Sequence, residues 1–156
     1  MSFDPCEETN PDSQRQTLII QARYENLDQI RDFVGQIAQS CGLNQKSVYH
    51  VQLAVDEACT NIIEHAYSGE SDMSIYCTCQ PSQDRLVITL CDNGEPFNPL
   101  AVPTPNFDAS LEQRNQGGLG LYLMRKVMDD VQFTFKSNQP NAHNILTMVK
   151  RLHSSG

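Results

Sequence analysis

Two short runs of alternating apolar residues, one on each side of a turn, constrain this chain more than any other feature. Met73, Ile75, Cys77 and Cys79 alternate with Ser74, Tyr76 and Thr78; beyond Pro81, Ser82, Gln83 and Asp84, Leu86, Ile88 and Leu90 occupy every second place up to Cys91. A period of two puts each apolar set on one face of a strand, and a turn this short joins antiparallel neighbours. The chain must therefore build a sheet with one apolar face, and other elements must cover it.

Two amphipathic stretches are available as cover. Leu27, Ile30, Phe33, Val34, Ile37, Ala38 and Cys41 fall on one helical stripe, with Asn26 read as the N-cap, Gln29 three residues on, and Gly42 as the stop. A second helix is expected over residues 45–67, capped by Asn44, with Val48, Val51, Val55, Ala58, Ile62 and Ala66 on its buried stripe and Ser68, Gly69 and Glu70 ending it. Residues 16–22 read as a first strand. Residues 95–116 hold four prolines and no period, the profile of a functional loop such as a lid. Gly117, Gly118, Leu119 and Gly120 then open a helix to about residue 128, and strands around Val131 to Phe135 and over 145–150 close the chain.

The order is β-α-α-β-β-loop-α-β-β. It predicts an α+β fold, a two-layer α/β sandwich whose mainly antiparallel mixed sheet carries its helices on one face. Residues 16–152 form one domain on this reading, with a polar tail over 1–15 and a short one over 153–156; 156 residues suffice for one substantial core.

The 19 acidic and 11 basic residues give a net charge of −8, which argues against nucleic acid or an anionic membrane as partner. No apolar run is long enough to span a bilayer, and residues 1–16 lack the apolar centre of a signal peptide, so a cytoplasmic protein is expected. The six cysteines do not repeat with metal-ligand spacing and read as reduced core residues; Cys77 and Cys79 share a strand face, but the second pair that a zinc site needs is missing.

Three groups of residues carry chemistry. Glu57 and Asn61 stand four apart on the second helix and emerge as neighbours on its flank, where a carboxylate can take a proton and an amide can ligate Mg²⁺. Asp92 ends a strand in phase with Leu86, Ile88 and Leu90, so its carboxylate points with the apolar set and needs a donor, for which the exocyclic amine of adenine is suited; Gly94, two residues on, admits a flat ring close to the backbone. Gly117, Gly118 and Gly120 precede a helix, whose unpaired amides attract an anion. Alone, each has an ordinary reading as a solvated helix flank, a D-N-G turn or a tight connection. Their order is what is specific.

The stretches E-A-C-T-N-I-I-E-H-A-Y over 57–67, D-N-G-E-P-F over 92–97 and G-G-L-G-L-Y-L-M over 117–124 together resemble the anti-sigma-factor serine kinases of the histidine-kinase-like (GHKL) ATPase superfamily, across residues 16–152. The resemblance implies the Bergerat fold with ATP and Mg²⁺ as cofactors. It makes Glu57 the catalytic carboxylate, Asn61 the Mg²⁺ ligand, Asp92 the adenine reader, Gly94 part of the purine pocket, Gly117, Gly118 and Gly120 the phosphate turn, and residues 95–116 the ATP lid. Arg114, the one basic residue of that lid, matches no family position; His65 is read as packing its helix, and Thr147 is the candidate for a threonine beside adenine.

By the same resemblance, the implied function is serine phosphorylation of a small anti-anti-sigma partner of the STAS type, together with sequestration of a sigma factor. A homodimer is also implied as possible. The alternative is an ATP-responsive protein-binding regulator without kinase activity, against which the retained Glu57 counts. A sensor histidine kinase fits less well, because a dimerisation helix pair with its phosphoacceptor finds no place beside this domain.

Overall fold

The computed structural model describes residues 14–96, 119–135, 137 and 142–152. Residues 1–13 and 153–156 of the expected tails, most of the expected lid with Arg114, and Gly117 and Gly118 lie outside them. Strand β1 (Gln16–Gln21) leads through a 3-10 turn, Tyr24–Asn26, to helix α1 (Leu27–Ser40) and then helix α2 (Gln45–Asn61). Strands β2 (Ser74–Pro81) and β3 (Arg85–Asp92), helix α3 (Leu119–Val127), and strands β4 (Asp130–Thr134) and β5 (Asn144–Arg151) complete the order expected.

The five strands form one sheet in the order β1-β2-β3-β5-β4, and every pairing is antiparallel. Residues paired across antiparallel strands share a face, so Cys77, Leu90, Leu146 and Phe133 form one row. That face packs against Ile30 and Val34 of α1, Val51 and Val55 of α2, and Met124 of α3 in a single core. The opposite face is not open throughout, since Thr78, Thr89 and Cys91 are buried there as well.

Local chemistry explains most of the boundaries. Asn44 caps α2, its side chain accepting the Ser47 N–H at 2.8 Å. Gly42 follows α1 at a φ of +103°, a left-handed value that costs glycine little. Asn26 does not cap α1: the preceding 3-10 turn already gives it helical backbone angles, and its side chain donates instead to the Gln21 carbonyl. The long second helix also divides. After Asn61 the ladder slips to one π-helical turn, Ile62–Ala66, in which the Tyr67 N–H reaches the Ile62 carbonyl at 3.0 Å, and adjacent Ile62 and Ile63 are both buried.

Cys59, Cys77 and Cys79 are buried free thiols, and burial pushes the Cys59 thiol well up. Cys91 is disulfide-bonded, which corrects the reduced reading at that position. Among the described residues no group of three His, Cys, Asp or Glu side chains is placed to hold a metal ion, and no helix is long and apolar enough to cross a membrane.

Candidate functional site

The slipped turn at the end of α2 positions the site. Glu95 donates its backbone N–H to the Ala66 carbonyl at 2.8 Å, tying the chain beyond β3 to the π-helical turn. Gly94 must be glycine for this approach: a Cβ there would lie 2.6 Å from the Ala66 carbonyl carbon and 2.7 Å from its Cβ. The close contact that Gly94 permits is thus with the helix end, where the sequence had pointed to a ligand ring.

Asp92 is buried, at 4% exposure, with the inward phase its strand predicts. Its Oδ1 accepts the Gly94 N–H at 2.9 Å and the Asn144 Nδ2–H at 2.9 Å, and the same Asn144 amide also donates to the Gly94 carbonyl at 3.0 Å. These donors offset the cost of burying a carboxylate. Beside them, the Tyr67 hydroxyl accepts the Asn93 N–H at 2.9 Å and donates to the Ser74 carbonyl at 2.6 Å; burial raises its pKa to about 12. The loop after β3 is held from three sides.

A pocket with a cavity volume of about 50 Å³ opens beside Asp92, smaller than a complete small-molecule site. Asn61 and Asn144 line it, and Ala58, Ile62, Met124 and Leu146 give it apolar walls. Apolar walls beside a buried carboxylate suit an apolar heterocycle that carries an amine.

Glu57 stands one turn before Asn61, half-buried. Its carboxylate faces the first turn of α3, where a Cβ on Gly120 would come within 2.6 Å of Oε2. Desolvation, and after it the charges of Asp56 and Glu64, raise the Glu57 pKa and so favour its taking up a proton.

A sequence profile described as "Histidine kinase-like ATPase domain" matches residues 20–150. The chain belongs to the histidine kinase-like ATPase family. Within it, the chain groups with proteins named serine-protein kinase RsbW: it is 31% identical to that of Bacillus velezensis over 140 residues, 86% of this chain and 83% of the relative. It is 36% identical to that of Bacillus cereus strain AH187, over 72% of each chain. The solved RsbU and RsbW domains of Rv1364c from Mycobacterium tuberculosis share the fold at a TM-score of 0.60 and 12% identity, over 89% of this chain and 32% of that one.

For a histidine kinase-like ATPase domain the ligand is ATP, and the residues present fit it. The buried Asp92 acceptor at the pocket floor matches the exocyclic amine of adenine, and the helix start at Gly120 suits phosphates. Of the residues singled out by sequence, the fold brings Asn61 and Asp92 to one pocket and Glu57 to Gly120. It leaves two others out. Thr147 pairs with Thr89 and Gln132 on the sheet face away from the helices, and His65 is exposed on the π-helical turn, where it does not pack the helix. Sequence reasoning missed Asn144 and Tyr67; Tyr67 lies inside the first motif, but only the strand register pairs Asn144 with Asp92.

Proposed function

We propose that this protein is a Mg-ATP-dependent serine protein kinase and anti-sigma factor, which phosphorylates a STAS-type anti-anti-sigma partner and, when not so engaged, sequesters a sigma factor in the cytoplasm. The observation that carries the reading is the facing of the Glu57 carboxylate and Gly120 beside the pocket that Asn61 and Asp92 share. Asp92 reads adenine, and Gly94 braces it by fixing the loop. Gly117, Gly118 and Gly120 offer backbone amides to the phosphates, and Asn61 is the protein's ligand for Mg²⁺, whose charge offsets that of the phosphates. Glu57, with its raised affinity for a proton, takes the proton of the attacking serine hydroxyl. The hydroxyl oxygen bonds to the γ-phosphorus as the bond to the β–γ bridging oxygen breaks, and ADP leaves.

The relatives' shared name supports the choice of serine as acceptor. The test is incubation of the intact protein with Mg-ATP labelled at the γ-phosphate and purified STAS-type proteins. Serine labelling that Glu57→Ala abolishes while ATP binding persists is the expected result. Absence of labelling with every such partner, or labelling unchanged by Glu57→Ala, overturns the kinase reading.

A further inference from the structure

Helix α3 meets α2 closely near both ends. At its first turn Gly120 lies against Glu57. At its last residue the Val127 carbonyl accepts a hydrogen bond from Lys150 Nζ, and the same ammonium lies 3.2 Å from Nδ1 of His50. His50 and Glu57 are seven residues apart on α2, two turns along one face and about 10 Å along the axis. Gly120 and Val127 are also seven apart, so the two helices run antiparallel with matched contacts at each end.

Lys150 comes from β5 on the helix-covered side and is 6% exposed. A buried ammonium persists only where its N–H groups find acceptors. The Val127 carbonyl lies at the C-terminal end of α3, where the helix dipole favours a cation. An imidazole nitrogen facing an ammonium must supply its lone pair, so His50 carries its ring proton on Nε2. The surrounding charges are Lys46, one turn earlier on α2, and Asp129 just beyond α3, whose carboxylate also accepts the Arg151 N–H at 2.6 Å.

We propose that Lys150 and His50 are positioning residues that form a proton-sensitive clamp on α3, holding the start of that helix against Glu57 only while His50 is neutral. Protonated His50 can no longer accept from Lys150 and instead faces it as a second cation. Burial, then the charges of Lys150 and Lys46, push the His50 pKa down, so the clamp is closed at neutral pH and opens on acidification. The inference deepens the kinase reading and rests on it for its catalytic consequence.

The experiment follows phosphoryl transfer from pH 8 to pH 5.5 in the full chain and in His50→Asn and Lys150→Met, alongside amide hydrogen exchange of residues 119–127 corrected for intrinsic rates. His50→Asn offers an oxygen near the place of Nδ1 and does not titrate. It should keep the wild-type kcat near pH 7.5, with its acid fall reduced to the part that protonation of Glu57 itself sets. Lys150→Met should lower kcat about tenfold at every pH with KM for ATP within about threefold, and quicken exchange along α3. In the unmodified chain α3 exchange should quicken on acidification, and in His50→Asn it should not. Acid-quickened α3 exchange that persists in His50→Asn, or pH-independent α3 exchange in the unmodified chain, overturns the clamp. Failure of the kinase reading shows separately, as transfer indifferent to Glu57→Ala, and the exchange measurement still decides the clamp.

Discussion

The pocket at Asp92 and the Glu57 carboxylate beside it are built in opposite ways. Around Asp92, every hydrogen bond described above comes from the sheet, the loop after β3 or the π-helical turn, and the carboxylate is buried among them. Around Glu57, a half-buried carboxylate faces a helix start across a gap that only a glycine leaves open, and its charge is made less welcome by desolvation and acidic neighbours. Rigidity belongs to the side proposed to recognise adenine, and electrostatic tension to the carboxylate proposed to react. A base needs affinity for a proton, so a carboxylate in the role proposed for Glu57 cannot be saturated with donors as Asp92 is.

Breaking the reacting end should have the largest effect. Glu57→Gln keeps the shape and removes the base, and is expected to lower kcat by about 10²–10⁴-fold with ATP affinity little changed, measured by single-turnover labelling and nucleotide titration. At the recognising end, Asp92→Asn presents an amide to the adenine amine; ATP affinity should fall about 10–100-fold and the preference over GTP should collapse, read by competition binding. Equal losses of affinity and rate from both variants would erase the contrast between the ends.

Smaller effects test what braces the recognising end. Gly94→Ala drives a methyl into the Ala66 backbone and should cost about 1–3 kcal/mol in chemical denaturation, since backbone cannot yield as a side chain would. Tyr67→Phe removes one accepted and one donated hydrogen bond and should cost about 1 kcal/mol, with ATP affinity reduced a few-fold. The smallest effect returns to Glu57. Its folded pKa is raised, so the folded state holds that proton more tightly than the unfolded one; the stability this gives is complete below the ordinary glutamate range and is lost as pH rises through the raised value. Glu57→Gln should therefore melt about 1–2 °C higher than the unmodified protein at pH 7 and lose this advantage near pH 4. A lower melting temperature at pH 7 would mean that the charge is not under tension.

The elements of this fold were legible because each obeys one period. Alternation exposed β2 and β3, and helical stripes exposed α1 and α2. Asp92 was legible for the same reason, as a carboxylate in phase with Leu86, Ile88 and Leu90. What escaped depended on long-range register or on competition between local signals. Asn144 meets Asp92 across 52 residues of sequence, through the β3–β5 pairing. Thr147, chosen by residue type, falls on the wrong face by one residue of strand phase. Asn26 looked like a cap, but a 3-10 turn took its backbone first. The slip after Asn61 follows no period of its own; the stripe through Ile62 and Ala66 reads equally well as unbroken α-helix.

Strand β5 is the last element in sequence, yet it sits inside the sheet, between β3 and β4. It supplies both Asn144, which steadies the recognising carboxylate, and Lys150, which holds α3. On the ribosome, β1 to β3 can pair as they emerge, while β4 has no edge to join until β5 arrives. A nascent chain stopped before Asn144 carries the first two sequence motifs and the glycine turn, but lacks the amide that donates to Asp92 and the ammonium that donates to the Val127 carbonyl.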